Sequence, residues 1–97
     1  MSIYTITTID IGDLSKGRCV GFFVDGAVAM EKVKNNVGDL HEAGFYTHAV
    51  IERYEEGIYP CAEDRIFFVW DEIKGKFVEC EEPEQVKEFK LVNFGIG

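Results

Sequence analysis

One stretch of helical spacing stands among stretches that read as β-strand, and that order limits the folds open to the chain. Ser2 to Ile9 is rich in β-branched and aromatic residues in rough alternation, and it runs into a polar, glycine-containing stretch from Asp10 to Gly17 that reads as a loop. Arg18 to Val24 reads as a second strand, with Val20, Phe22 and Val24 on one face and Cys19 and Phe23 on the other, both faces partly covered. Ala29, Met30, Val33 and Val37 then recur at helical spacing, with Asp25 placed to cap the start and Gly38 to stop the helix. Asp39 to Gly44 reads as a further helical turn after a break, and a long third strand follows from Phe45 to Tyr54. Beyond the short extended piece Ile58-Tyr59-Pro60, a fourth strand spans Arg65 to Asp71, and Lys74-Gly75-Lys76 turns it back on a fifth, Phe77 to Cys80. Gln85 to Glu88 reads as a helical turn, and Leu91 to Phe94 as a last strand or an apolar tail against the core.

These elements predict a single α+β domain over residues 1–97. Its sheet is expected to be bent and mainly antiparallel, with about five to six strands and one helix across a face. The link from the second strand to the third has the length of a crossover, which leaves room for one parallel pair. A chain of this size buries roughly 60–70% of its unfolded surface in one core, and its 46% hydrophobic and 13% aromatic content supplies that core. The N-terminus has neither a basic nor an apolar leader region, and no apolar run nears the ~20 residues of a membrane span. A cytoplasmic protein is expected.

Charge is distributed unevenly along a chain of net −8. After Ala49 there are 12 carboxylates against 6 Lys and Arg, so that half is net −6 and the first half net −2. Such a surface disfavours phosphate backbones and anionic membranes, and it attracts basic grooves on other proteins, including grooves shaped to hold nucleic acid. Glu79, Glu81, Glu82 and Glu84 crowd like charges around Pro83 and are the candidate partner-binding residues.

No run of residues completes a catalytic, metal or phosphate-binding motif. Cys19, Cys61 and Cys80 are widely spaced and lack a Cys-x-x-Cys pair, which fits neither a disulfide framework nor a zinc knuckle. Cys19 and Cys80 read as small buried hydrophobes within strands, whereas Cys61, after Pro60, reads as exposed and would need His41 or His48 as a base. Those histidines are interrupted by Gly44 and the strand after it, so helical geometry does not join them, and neither a metal nor a cofactor is expected. Carboxylate pairs recur at Glu55-Glu56, Glu63-Asp64, Asp71-Glu72 and Glu81-Glu82; so many pairs match an acid–base template by chance, and their places at turns and strand ends read as solvated surface. The glycines match no phosphate-cradling pattern.

The aromatic residues offer a second kind of site. Tyr46, Tyr54, Tyr59 and Trp70, with Arg53 and Arg65 close in sequence, could stack a base and clamp a phosphate, as a small nucleotide-binding module would. Core is the stronger reading of the same aromatics, because a sheet protein of this size needs them there.

Arg18-Cys19-Val20-Gly21-Phe22-Phe23, Val33 through Glu42, Tyr46 through Glu52, Gly57-Ile58-Tyr59-Pro60 and the ending Asn93-Phe94-Gly95-Ile96-Gly97 together resemble a family of small uncharacterised proteins of gut Firmicutes and their phages and prophages. The family brings no catalytic residues to carry over. The resemblance implies a setting in which small acidic proteins inhibit host defence. The leading reading is a non-enzymatic inhibitor whose glutamates occupy a basic surface of a host effector, such as a nucleic-acid channel; the alternative, from the aromatics, is a module that sequesters a small nucleotide, and an enzyme is the least supported of three.

Overall fold

The computed structural model describes residues 2–57 and 62–87. It is one α+β domain in which helix α1 (Gly26–Lys34) packs on a five-stranded sheet of order β2-β1-β3-β4-β5. The strands are β1 (Ser2–Asp10), β2 (Asp13–Phe23), β3 (His48–Glu55), β4 (Asp64–Asp71) and β5 (Lys76–Cys80). Every neighbouring pair is antiparallel, so the crossover that carries α1 creates no parallel pair.

β2 begins earlier than its sequence suggests. Asp10 pairs with Asp13 across a tight turn, where the Asp10 carboxylate accepts from the Gly12 amide at 3.0 Å, and the polar run from Asp13 to Gly17 is strand, not loop. This run lies on an outer strand and is largely exposed, so no apolar alternation marks it. The register slips between Ile6/Thr7 and their partners Gly21/Cys19, leaving Val20 as a bulge. The bulge reassigns the faces: Val20 and Phe23 both pack toward the helix, while Cys19, Phe22 and Val24 are exposed. Cys19 is therefore not a buried hydrophobe.

Asp25 caps α1 by accepting from the Ala27 amide at 2.9 Å. Gly26 is required next, because a Cβ there would meet the Tyr4 ring at 2.9 Å. Ala29 and Val33 are fully buried and Met30 packs beside them, as the helical spacing predicts. The stop comes before Gly38. Asn36 takes the left-handed conformation (φ 48), its amide donating to Val33 and that of Val37 to Lys32, which is a Schellman closure with asparagine in glycine's usual place. Val37 thus lies outside the helix and is 47% exposed. In place of a further α-turn, Glu42–Gly44 form a 3-10 turn.

The two sheet faces hold separate apolar clusters. Ile6, Ala29, Val33, Ala49, Ile51, Phe68 and Phe77 pack between sheet and helix. Ile9, Val50, Phe67 and Val86 pack on the opposite face, with Val86 supplied by a 3-10 turn at Glu84–Val86. The expected strand or tail at Leu91 to Phe94 lies outside the described residues. Among the described residues, no helix is long and apolar enough to cross a membrane.

Candidate functional site

The β4–β5 hairpin positions the acidic cluster. Asp71 Oδ1 accepts from the Ile73 and Lys74 amides at 2.9 and 3.0 Å, and Gly75 (φ 66) donates to the Asp71 carbonyl at 2.7 Å, so the turn returns β5 along β4. β5 is an outer strand in the described sheet, and Glu79 lies on it opposite Phe68. Glu81, Glu82 and Glu84 follow directly, and all four glutamates are exposed.

They are not equivalent. Glu82 Oε1 accepts from Arg65 at 3.0 Å, and Glu84 pairs with Lys87 at 2.9 Å, which raises the Lys87 pKa through that hydrogen bond and charge. Among the described residues, no cation pairs with Glu79 or Glu81. Their charges reach the neighbouring thiol: burial first, then Glu79 and Glu81, push the Cys80 pKa up. Cys80 is consequently a poor nucleophile.

Arg65 links this edge to the interior. Its Nε lies 3.5 Å from Oε2 of Glu52, its cross-strand partner on β3. Glu52 is fully buried, and Tyr54 donates its hydroxyl to Glu52 Oε1 at 3.0 Å. Burial, then the Glu52 charge, holds the Tyr54 phenol far above its ordinary pKa. On the other side of Glu52, Thr5 is its partner on β1. The Thr5 and Thr7 hydroxyls are buried without a hydrogen-bond partner among the described residues. Sequence reading missed Glu52, although a signal was present: period-two alternation puts it on the same strand face as Val50 and Tyr54.

The aromatic set does not assemble into a platform. Tyr46 and Tyr54 are 3% and 2% exposed, and Tyr59 lies outside the described residues. Trp70 stacks on His41 with ring centroids 3.9 Å apart and an interplanar angle of 7°. His41 Nδ1 lies 2.8 Å from the Tyr46 carbonyl, an acceptor only, so that nitrogen carries a proton. Arg53 and Arg65 lie on opposite sheet faces, as adjacent partners of Asp64 and Glu52. Arg53 binds Asp64 at 2.8 Å and Glu55 at 3.0 Å, and Asp64 holds it firmly cationic.

His48 is separate from His41. Thr47 Oγ1 accepts from the Ile11 amide at 2.9 Å and meets His48 Nδ1 at 2.8 Å, while burial lowers the His48 pKa despite the opposing charge of Asp10. A neutral ring that accepts from the Thr47 hydroxyl satisfies both. Among the described residues, no three His, Cys, Asp or Glu side chains gather as a metal site would require. Cys61 lies outside the described residues.

Comparison with family models, curated proteins and solved structures finds no match for the chain. Fold and site together define a small α+β domain with exposed glutamates clustered at the end of an outer strand.

Proposed function

We propose that the protein is a non-enzymatic cytoplasmic inhibitor whose acidic edge occupies a basic surface of a host effector, in the manner of a phage-encoded antagonist of host defence. The supporting observation is the placement of Glu79 and Glu81, exposed and without an ion-pair partner among the described residues, beside Glu82 held by Arg65. A nucleic-acid-binding channel is the fitting target, because its cations already face a row of phosphates. The nucleotide-module reading draws less support, since Tyr46 and Tyr54 are buried and Arg53 and Arg65 are both engaged by carboxylates.

The test uses purified nucleic-acid-binding defence effectors, measured with and without an oligonucleotide competitor. The protein should displace the oligonucleotide. Replacing Glu79, Glu81, Glu82 and Glu84 by Gln should slow association by about tenfold or more, an effect that shrinks as salt rises. Effector binding indifferent to both the substitutions and the salt would remove the electrostatic reading.

A further inference from the structure

The helix side of the sheet carries a cleft of about 250 Å³ beside β2, at the opposite edge of the sheet from β5. Ile6 and Gly21, register partners on β1 and β2, line it from the sheet. Val20 and Phe23 line it from the same outer strand, and Val37 and Leu40 from the segment that follows α1. Among the described residues, the one charged side chain in the lining is that of Lys32, and the rest of the lining is apolar.

Two of these residues have no role in the fold that accounts for them. Gly21 pairs with Ile6 of the helix-side cluster, so a side chain at 21 would stand on the helix side, yet a Cβ there would meet nothing within 4 Å. Its backbone is not left-handed either, so neither conformation nor crowding demands glycine, in contrast to Gly26 beneath the Tyr4 ring. Glycine inside a strand weakens it and suits a place where another molecule comes close to the backbone. Lys32 is the second. Lys16, Arg18, Arg53, Arg65 and Lys87 are all paired with carboxylates. Among the described residues, Lys32, Lys34, Lys74 and Lys76 have no ion pair, and of these four only Lys32 is half-buried. In a chain with 18 carboxylates against 10 Lys and Arg, an ammonium beside apolar surface without a counter-charge is a place for an external anion.

We infer that this cleft binds a small apolar monocarboxylate, a medium-chain fatty acid in class, with its carboxylate at Lys32 and its chain laid over Gly21. One lysine matches one negative charge. A phosphate would bring about −1.5 to −2 into a chain of net −8, where the surplus is repelled. Because the other lining side chains are apolar, a sugar or a nucleotide would bury polar groups without partners. The volume lies below the roughly 300–1,000 Å³ of sites for drug-sized ligands, which limits the occupant to a short chain.

Octanoate titrated into the full chain and followed by methyl NMR tests the inference. The Val20, Val37 and Leu40 methyls should shift saturably with a Kd below about 1 mM, and hexanoate should bind about tenfold more weakly, since each buried methylene contributes roughly a factor of four. Lys32→Met keeps the stem and removes the charge. It should weaken octanoate about threefold or more while leaving octanol, the same chain without the charge, unaffected. Gly21→Val should fill the cleft and weaken both ligands at least about tenfold with an unchanged circular dichroism spectrum, because its side chain enters open space. Should the valine variant lose its fold, Gly21→Ala should still weaken both. No saturable shift up to about 10 mM octanoate, equal losses of octanoate and octanol on Lys32→Met, or binding that survives the filling of position 21 in a folded protein would each overturn the assignment. Effector displacement depends on glutamates at the opposite edge of the sheet, so the two readings fail separately.

Discussion

On the helix side of the sheet, Ile6, Ile51 and Phe68 pack under Ala29 and Val33 in an apolar cluster. One residue further along the same strands, Thr5, Glu52 and Arg65 lie side by side on the opposite face, and Glu52 is as completely buried as Phe68. Large apolar side chains contribute roughly 1.5–3 kcal/mol each on burial, whereas a buried ion pair returns little beyond the cost of its desolvation. Apolar burial on both faces supplies stability, from Ile9, Val50, Phe67 and Val86 on the second face as well, whereas the Thr5-Glu52-Arg65 row supplies register. A slip of one residue would carry Glu52 into the helix-side cluster, where nothing in that cluster could compensate its charge.

The largest effect that separates the faces is expected from Phe68→Ala. Removing a fully buried ring from beneath the helix should cost about 3–5 kcal/mol in urea unfolding. A loss under about 1 kcal/mol would mean that the helix-side cluster is loosely packed. Next comes Arg65→Met, which removes the cation beside buried Glu52 and should cost about 3 kcal/mol. Adding Glu52→Leu to that variant should recover most of the loss, because no buried charge then remains. Failure of the second substitution to restore stability would show that the carboxylate contributes more than register.

Smaller changes sharpen the same contrast. Thr7→Val keeps the side-chain shape while deleting a buried hydroxyl without a partner among the described residues, and it should raise stability by up to about 1 kcal/mol. A decrease would reveal a bonded role for the hydroxyl. The smallest effect concerns His48, whose burial lowers its pKa below 6.5. Below that pH the unfolded chain takes up a proton that the folded ring does not, so this contribution is complete above 6.5 and falls as pH drops toward the folded pKa. Urea midpoints followed from neutral to mildly acid pH should show a decline that His48→Gln flattens.

Local pattern revealed the elements whose partners lie close by. Asp25, the Ala29-Met30-Val33 stripe and the Gly75 turn each announce a cap, a buried face and a hairpin through chemistry within a few residues. Legibility fails where pairing and backbone conformation decide and hydrophobic pattern does not. Asp13 to Gly17 is polar and becomes strand only because β1 lies beside it, and the Val20 bulge reverses the faces of everything before it. The helix end escaped because asparagine at position 36 accepts the left-handed conformation that Gly38 seemed to offer. At the candidate site the glutamate cluster was plain in the sequence, but its division into Arg65-bound Glu82 and the pair Glu79 and Glu81, without a cation among the described residues, depends on a strand register that no local pattern encodes.

The strand order has a consequence for assembly of the fold itself. β1 with β2, β3 with β4, and β4 with β5 are joined through neighbouring sequence, whereas the β1–β3 seam brings Ile6 to Ile51 across the whole helical connection. Closing that seam has the largest loop-closure cost of the strand pairings and is expected to follow formation of the hairpins on either side. The chain is thus two pieces that meet along that seam and beneath the helix, and a break in the exposed loop near Gly38 should leave halves able to find each other again through the hydrogen bonds of the seam and the shared core.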